Sequence, residues 1–216
     1  GAVMDCANTG SITAISSIYR DAYEGGMCGK NQAYQGNASI TSCYGTGSVT
    51  ATSTGTNTYA GGVCGQNTGT ITSCYWLWGE DSPANGIGGG NGTADQAEGK
   101  TADQFASGEV AWLLNSGTQT DAPWRQNLGE NGDAFPVLGA AHEAVIKVTV
   151  QDQTGTSTTD TDYYGNRNRV TLPDPKPDTA YFDSRDVYVD PASHSFTDRE
   201  ILYLKTAVTV TVVYGN

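Results

Sequence analysis

The chain has 216 residues, with 11 Lys and Arg against 23 Asp and Glu, for a formal charge of −12. So acidic a chain is repelled by nucleic acid and anionic lipid, which excludes both as main partners. With 37% apolar and only 16% charged residues it can build a core, yet no apolar run approaches the ~18 residues of a membrane span. No leader segment opens the sequence, so any export signal is expected to have been removed.

Composition divides the chain. Residues 1–100 hold 20 of the 28 Gly, all five Cys and 10 of the 34 charged residues; residues 140–216 hold three Gly and 18 charged residues. The break predicts two domains, 1–139 and 140–216, with residues 101–139 acting as a cap on the first.

The first segment repeats itself. Gly25-Gly26-Met27-Cys28-Gly29-Lys30-Asn31 recurs as Gly61-Gly62-Val63-Cys64-Gly65-Gln66-Asn67, and Ile40-Thr41-Ser42-Cys43-Tyr44 recurs letter for letter as Ile71-Thr72-Ser73-Cys74-Tyr75. A weaker copy, Asn8-Thr9-Gly10-Ser11-Ile12-Thr13, aligns with Asn67-Thr68-Gly69-Thr70-Ile71-Thr72. Short β-forming stretches between Gly and Asn turns cannot bury a face alone, but stacked copies share one core. The pattern predicts a mainly β fold containing a short β-solenoid. Its inward positions are Ile12, Met27, Ile40, Cys43, Val49, Val63, Ile71 and Cys74. The weak first copy leads us to expect further coils before residue 1.

The run Gly-Gly-Val-Cys-Gly-x-Asn-x-Gly-Thr-Ile-x-x-Cys-Tyr at residues 61–75 resembles the GLUG repeat of bacterial surface proteins, over about residues 5–80. GLUG repeats accompany adhesins and lie outside the catalytic domain of some zinc peptidases. The resemblance implies an extracellular, cell-surface or secreted bacterial setting and says little about activity.

Thr101 with Gln104 fits a helix-capping box, and Ser107 starts a second turn. Val110, Leu113 and Leu114 share a helix face, and Trp124 to Phe135-Pro136-Val137-Leu138 reads as a return strand. A similar stretch often follows GLUG repeats. We assign residues 101–139 to covering the open solenoid end, an unpaired edge that otherwise invites aggregation. That role makes Trp112 and Trp124 structural.

Residues 140–216 read as a small all-β domain. Strands are expected at Ala144–Asp152, Val170–Leu172, Asp186–Val189 and Thr206–Tyr214, with Pro173, Pro175 and Pro177 making an extended crossing. The run from Tyr164-Gly165 to Leu172-Pro173 faintly resembles the β-grasp repeats of internalin-type surface proteins; an immunoglobulin-like sandwich fits equally.

Chemistry is sparse. Five cysteines fit neither a complete disulfide framework nor a CxxC zinc site. They read as stacked buried thiols, or as disulfides within each coil, Cys28–Cys43 and Cys64–Cys74. His142-Glu143 opens like the HExxH zinc motif, but position 146 is Ile146. His194 reads as part of a polar loop. The acids of residues 1–100 do not recur at equivalent positions, so no carboxylate pair for glycoside hydrolysis is apparent. Asp160–Asp162, Asp183, Asp186 and Asp190 lack the EF-hand pattern and read as solvated charge, with a surface calcium as the alternative. No metal, cofactor or catalytic residue is therefore assigned.

The binding candidates are Tyr75, Trp76 and Trp78, beside Glu80 and Asp81. They form either a sugar-stacking platform or the apolar end of the last coil. We expect a non-enzymatic, secreted or cell-surface structural or adhesion protein that presents a surface to a host or matrix protein or glycan. The rival is a carbohydrate-binding or accessory module of a larger surface glycosidase or peptidase.

Overall fold

The structure, a computed structural model, describes residues 1–17, 20–33, 36–54, 57–80, 82–116, 122–152 and 161–206. It is mainly β with two short helices. It divides into two compact units, Gly1–His142 and Glu143–Asn216.

The first unit is built in layers. The first layer holds β1 (Ala2–Met4), β2 (Ala7–Asn8), β3 (Ile12–Ser16), β4 (Ala22–Gly25) and β5 (Cys28–Asn31). The second holds β6 (Ser39–Thr41), β7 (Tyr44–Gly45), β8 (Val49–Ser53), β9 (Thr58–Gly61) and β10 (Cys64–Asn67). Each second-layer strand pairs in parallel with its counterpart in the first. β11 (Thr70–Leu77) continues the columns of both β6 and β7, β12 (Ile87–Gly90) continues that of β10, and β13 (Thr93–Lys100) lies on β11.

In-register parallel pairing puts like residues over like. Val3, Ile40 and Ile71 form one column, and Cys28 lies on Cys64. Ile40, Cys43, Val63, Cys64, Ile71, Cys74 and Trp76 make the core, each large apolar side chain contributing about 1.5–3 kcal/mol by leaving water. Val49 is also buried, whereas Ile12 and Met27 are only half-buried. Both belong to the first layer, whose outer side no described strand covers.

Polar groups inside the stack are matched between layers. The buried Asn31 Nδ2 donates to Asn67 Oδ1 at 2.8 Å. Asn67 Nδ2 donates to Thr93 O at 3.1 Å, and Gly69 N donates to Asn67 Oδ1 at 3.0 Å. Each amide thereby satisfies a corner that the ladder leaves open. Asp5, Ser42 and Ser73 turn another corner in successive layers, with φ of 48°, 53° and 50°.

The sequence alignment of the weak copy does not match the layers. Asn8 pairs with Gly45 and Ile12 with Val49, so residues 8–13 form a different corner of the first layer. The position stacked on Asn67 is Gly90, and Thr70-Ile71 stack on Thr93-Ala94. Residues 87–100 thus extend the stack past the point where the repeat fades.

The connector forms α1 (Ala102–Ala106) and α2 (Glu109–Leu114), then β14 (Trp124–Arg125) paired antiparallel with β15 (Val137–Leu138). The capping box is formed: Gln104 N donates to Thr101 Oγ1 and Thr101 N to Gln104 Oε1. Gly108, at φ 91°, joins the helices through a backbone conformation that side chains disfavour. Ser107 Oγ accepts from Glu109 N at 3.3 Å. Phe105, Val110, Leu114 and Trp124 pack with Tyr44 and Tyr75. The connector therefore meets the flank of the second and third layers, where two large tyrosines point outward and need cover. Among described strands β13 pairs with β11 alone. Trp124 is structural as expected: it is buried and its indole N–H donates to Ser42 O at 3.0 Å.

The second unit carries one mixed sheet of β16 (Val145–Asp152), β17 (Thr161–Asn166), β18 (Thr179–Phe182), β19 (Tyr188–Val189) and β20 (Glu200–Thr206). Its order is β17-β16-β20-β18-β19, and only β16 and β20 run parallel. One face packs Ile146, Val148, Val150, Tyr181, Val189 and Leu202 against Val170 and Phe196. Residues 170–172 are not a strand; Val170 and Leu172 serve the core from an extended segment that the nearby prolines keep non-helical. The expected strand at 186–189 shortens to β19, because Asp186 sits in a turn at φ 63°. Of the strand expected at 206–214, Thr206 ends β20 and the remainder lies outside the described residues.

Candidate functional site

The three aromatic candidates of the sequence do not form one surface. Tyr75 is 1% exposed and Trp76 6%, while Trp78 is 55% exposed. Tyr75 belongs to the cluster under the helices, with the Lys100 ammonium 5.8 Å from its ring centroid. Trp76 points into the layered core, and its indole N–H donates to Pro83 O at 3.2 Å. Its ring lies against glycine: a Cβ on Gly62 would stand 2.3 Å from Trp76 Cγ, so position 62 admits no side chain. Alternation along β11 splits the pair 75 and 76 between two faces. A coplanar sugar platform on Tyr75, Trp76 and Trp78 is thereby excluded, and Trp78 alone remains on the surface. Glu80 is exposed, and Asp81 lies outside the described residues.

Lys100, whose backbone carbonyl accepts from Trp78 N, gathers two other acids. Lys100 Nζ lies 3.0 Å from both Glu98 Oε2 and Glu109 Oε1. Burial alone would lower the lysine, but Glu109 and Glu98 outweigh it and hold the ammonium above its ordinary value. Glu24 stands apart. It is buried, its Oε2 accepts from Ala14 N at 2.7 Å, and its Oε1 has no hydrogen-bond partner among the described residues. Burial pushes its carboxyl up.

All five cysteines are free thiols, with Cys43, Cys64 and Cys74 buried and Cys6 and Cys28 half-buried. Each thiol meets its counterpart in the next layer: Cys28 meets Cys64, and Cys43 meets both Cys74 and Cys6. The pairings Cys28–Cys43 and Cys64–Cys74 within a layer are absent. The histidines serve locally. His194 Nε2 lies 2.7 Å from Glu200 Oε1 and its ring meets Phe196 edge-on. His142 Nε2 lies 3.6 Å from Asp133 Oδ2. Among the described residues no group of three or more His, Cys, Asp or Glu converges as a metal site would require, and no helix is long and apolar enough to cross a membrane.

The Asp-rich places of the second unit are bound into turns and pairs. Asp183 accepts from the backbone N–H of Val187 and Arg185 and from the Arg185 guanidinium, which together pull its carboxyl down to about 2. Asp190 accepts from Ala192 N and Ser193 Oγ, Asp162 pairs with Lys147, and Asp186 with Lys205. Asp160 lies outside the described residues.

The surface that sequence reasoning missed is on this unit. Tyr188, Phe182 and Tyr203 are cross-strand partners over β19, β18 and β20, so they share the sheet face opposite the core. Lys205 lies over Tyr203 at 5.2 Å from the ring centroid. Tyr188 is 61% and Ile201 41% exposed. Beside them a shallow cavity of about 440 Å³ is lined by Asp183, Arg185, Arg199, Glu200, Ile201 and Tyr203. Aromatic, aliphatic and guanidinium groups together are the composition of a protein-recognition patch. The run Glu200-Ile-Leu-Tyr-Leu-Lys205 does not alternate apolar with polar residues, which hid the strand and hence its outward face.

No protein-family model, curated protein or solved structure matches the chain.

Proposed function

We propose that the protein is a non-enzymatic structural or adhesion protein, secreted or held at a bacterial cell surface. The first unit is read as a short β-solenoid of the GLUG type, with residues 101–139 packed on it. The stacked like residues and the asparagine ladder support that reading. The second unit is read as β-grasp-like: among the described residues its strands make one mixed sheet, with the first strand parallel to the last, which suits this, whereas an immunoglobulin-like sandwich requires two packed sheets.

The observation that carries the functional reading is the in-register strip Tyr188, Phe182 and Tyr203 on the non-core face, beside the Arg185–Arg199 cavity. The partner is read as a host or matrix protein. Phe182 and Tyr188 meet at 76°, which offers pockets for side chains rather than a flat floor for a sugar ring.

Binding to immobilised matrix proteins and to a glycan array tests this. Wild-type chain is expected to bind a protein ligand, and the Tyr188→Ala, Tyr203→Ala double variant to lose at least about tenfold in affinity, or ~1.4 kcal/mol. Glycan binding that disappears with Trp78→Ala instead supports the rival reading, a carbohydrate-binding or accessory module. Protein binding that survives the double variant overturns the assigned surface.

A further inference from the structure

The cysteines of β5 and β10 carry an inference independent of any ligand. Cys28 and Cys64 are direct partners in a parallel ladder. Adjacent strands lie about 4.7–4.9 Å apart, within the roughly 4.4–6.8 Å that a disulfide spans between Cα atoms. On the far side of Cys64 the next position in the column is Ile87.

Their environments differ in a way that suits sequential chemistry. Cys64 is fully buried, whereas Cys28 is half-exposed. The Cys64 thiol donates to Gln66 O at 3.1 Å and lies against Cys28; against burial, that contact and the Lys30 backbone N–H pull Cys28 down to about 6, while Cys64 is raised. One sulfur is thus reachable and ionisable, and the other is shielded directly behind it. In the second cysteine column Cys43 likewise lowers Cys74, but neither of those two sulfurs is half-exposed. Cys43 and Cys74 are buried, with their thiols donating to Thr41 O and Thr72 O at 3.1 and 3.3 Å. Its half-exposed member, Cys6, donates to Met4 O at 3.0 Å and is pushed up by burial and by Cys43.

We propose that Cys28 and Cys64 form an oxidisable dithiol that reacts with small-molecule disulfides and closes into a disulfide joining the first and second layers. The Cys28 thiolate attacks one sulfur of the external disulfide, forming a mixed disulfide and releasing one thiolate. The Cys64 sulfur, giving its proton to solvent, then attacks the Cys28 sulfur, forming the Cys28–Cys64 bond and releasing the second thiolate. The two protein thiols lose two electrons and two protons, and the external disulfide is reduced to two thiols.

The test is incubation of the reduced full chain with oxidised glutathione, then acid quenching, alkylation and peptide mapping. The expected product is a Cys28–Cys64 cross-link with the other three thiols alkylated, together with a higher melting temperature that reductant reverses. In Cys64→Ser the reaction is expected to stop at a glutathione adduct on Cys28. In Cys28→Ser, at a half-exposed position, no cross-link and no fast adduct are expected; this variant carries the test if Cys64→Ser does not fold. A wild-type map whose main link is Cys43–Cys74 or Cys28–Cys43, or a glutathione adduct on Cys28 that persists unresolved, overturns the proposal.

Discussion

The two units are both β and hold their strands together in opposite ways. In the first, neighbours across a ladder are the same residue type one turn of chain away: Ile on Ile, Cys on Cys, Asn on Asn. Its interior is thin, closed by glycine and by side-chain amides. In the second, one twisted sheet buries Val, Leu, Tyr and Phe on a single face, and charge pairs close its turns. Repetition lets a sequence with few large apolar residues fold by stacking. A unit without repetition must gather a diverse core from distant segments.

The sharpest way to test that difference is to damage one unit and watch the other. Trp76→Ala empties the glycine-walled slot formed around Gly62 and should cost the first unit about 3–5 kcal/mol. In a denaturant titration followed by hydrogen exchange, only amides of residues 1–142 should lose protection. Simultaneous loss in residues 143–206 would mean that the units unfold as one. Asn67→Ala comes next. It removes one of the two acceptors of the Asn31 amide, leaving Thr70 O, and strands the corner at Gly69, for an expected loss of about 1–3 kcal/mol in the first unit. An effect within error would show that water replaces the ladder. Thr101→Ala removes one half of the capping box, with an expected loss of about 1 kcal/mol and early exchange confined to α1.

The smallest effects concern pH, and the units should respond with opposite sign. Glu24 has a raised carboxyl pKa in the folded state. Below the ordinary carboxylate value it is protonated whether folded or not, so its contribution is complete. As pH rises toward the raised folded value, the unfolded chain releases the proton first and the first unit loses stability. Asp183 is lowered to about 2. Its contribution is present above the ordinary value and is lost as pH falls toward about 2. Mild acid should therefore favour the first unit, and stronger acid should weaken the second. Glu24→Gln should flatten the first response and Asp183→Asn the second, as read by unit-resolved thermal melts from neutral to acid pH.

Much of the layered unit was legible because its physics is local and repeated. The letter-for-letter pair at 40–44 and 71–75 placed Ile40, Cys43, Ile71 and Cys74 inside, and they are buried. The capping box at Thr101 and Gln104 was likewise readable, since one turn of helix satisfies it. The layer at 87–100 was not, because Ile87-Gly88-Gly89-Gly90 keeps the turn chemistry of the repeat and loses its side chains. For the same reason the motif at residues 8–13 mimics a layer although it forms a corner: Asn, Gly and Ser mark every bend alike. In the second unit β20 escaped because its apolar run has no period-two alternation. Tyr75, Trp76 and Trp78 are adjacent in sequence, but the strand sends them to different places.

The sequence alone determined the β class, the compositional division near residue 140 and the inward places of Ile40, Cys43, Val49, Val63, Ile71 and Cys74. These depend on periodicity, turn chemistry and apolar content, which neighbouring residues carry among themselves. Tertiary structure decided which cysteine faces which, where the connector docks and which aromatic side chains reach solvent. Those depend on register between strands about 36 residues apart, as from Asn31 to Asn67, and on what lies on each side of a strand. A one-residue shift in register exchanges inside for outside, so only the assembled ladder could place Cys28 on Cys64 and Tyr203 beside Phe182.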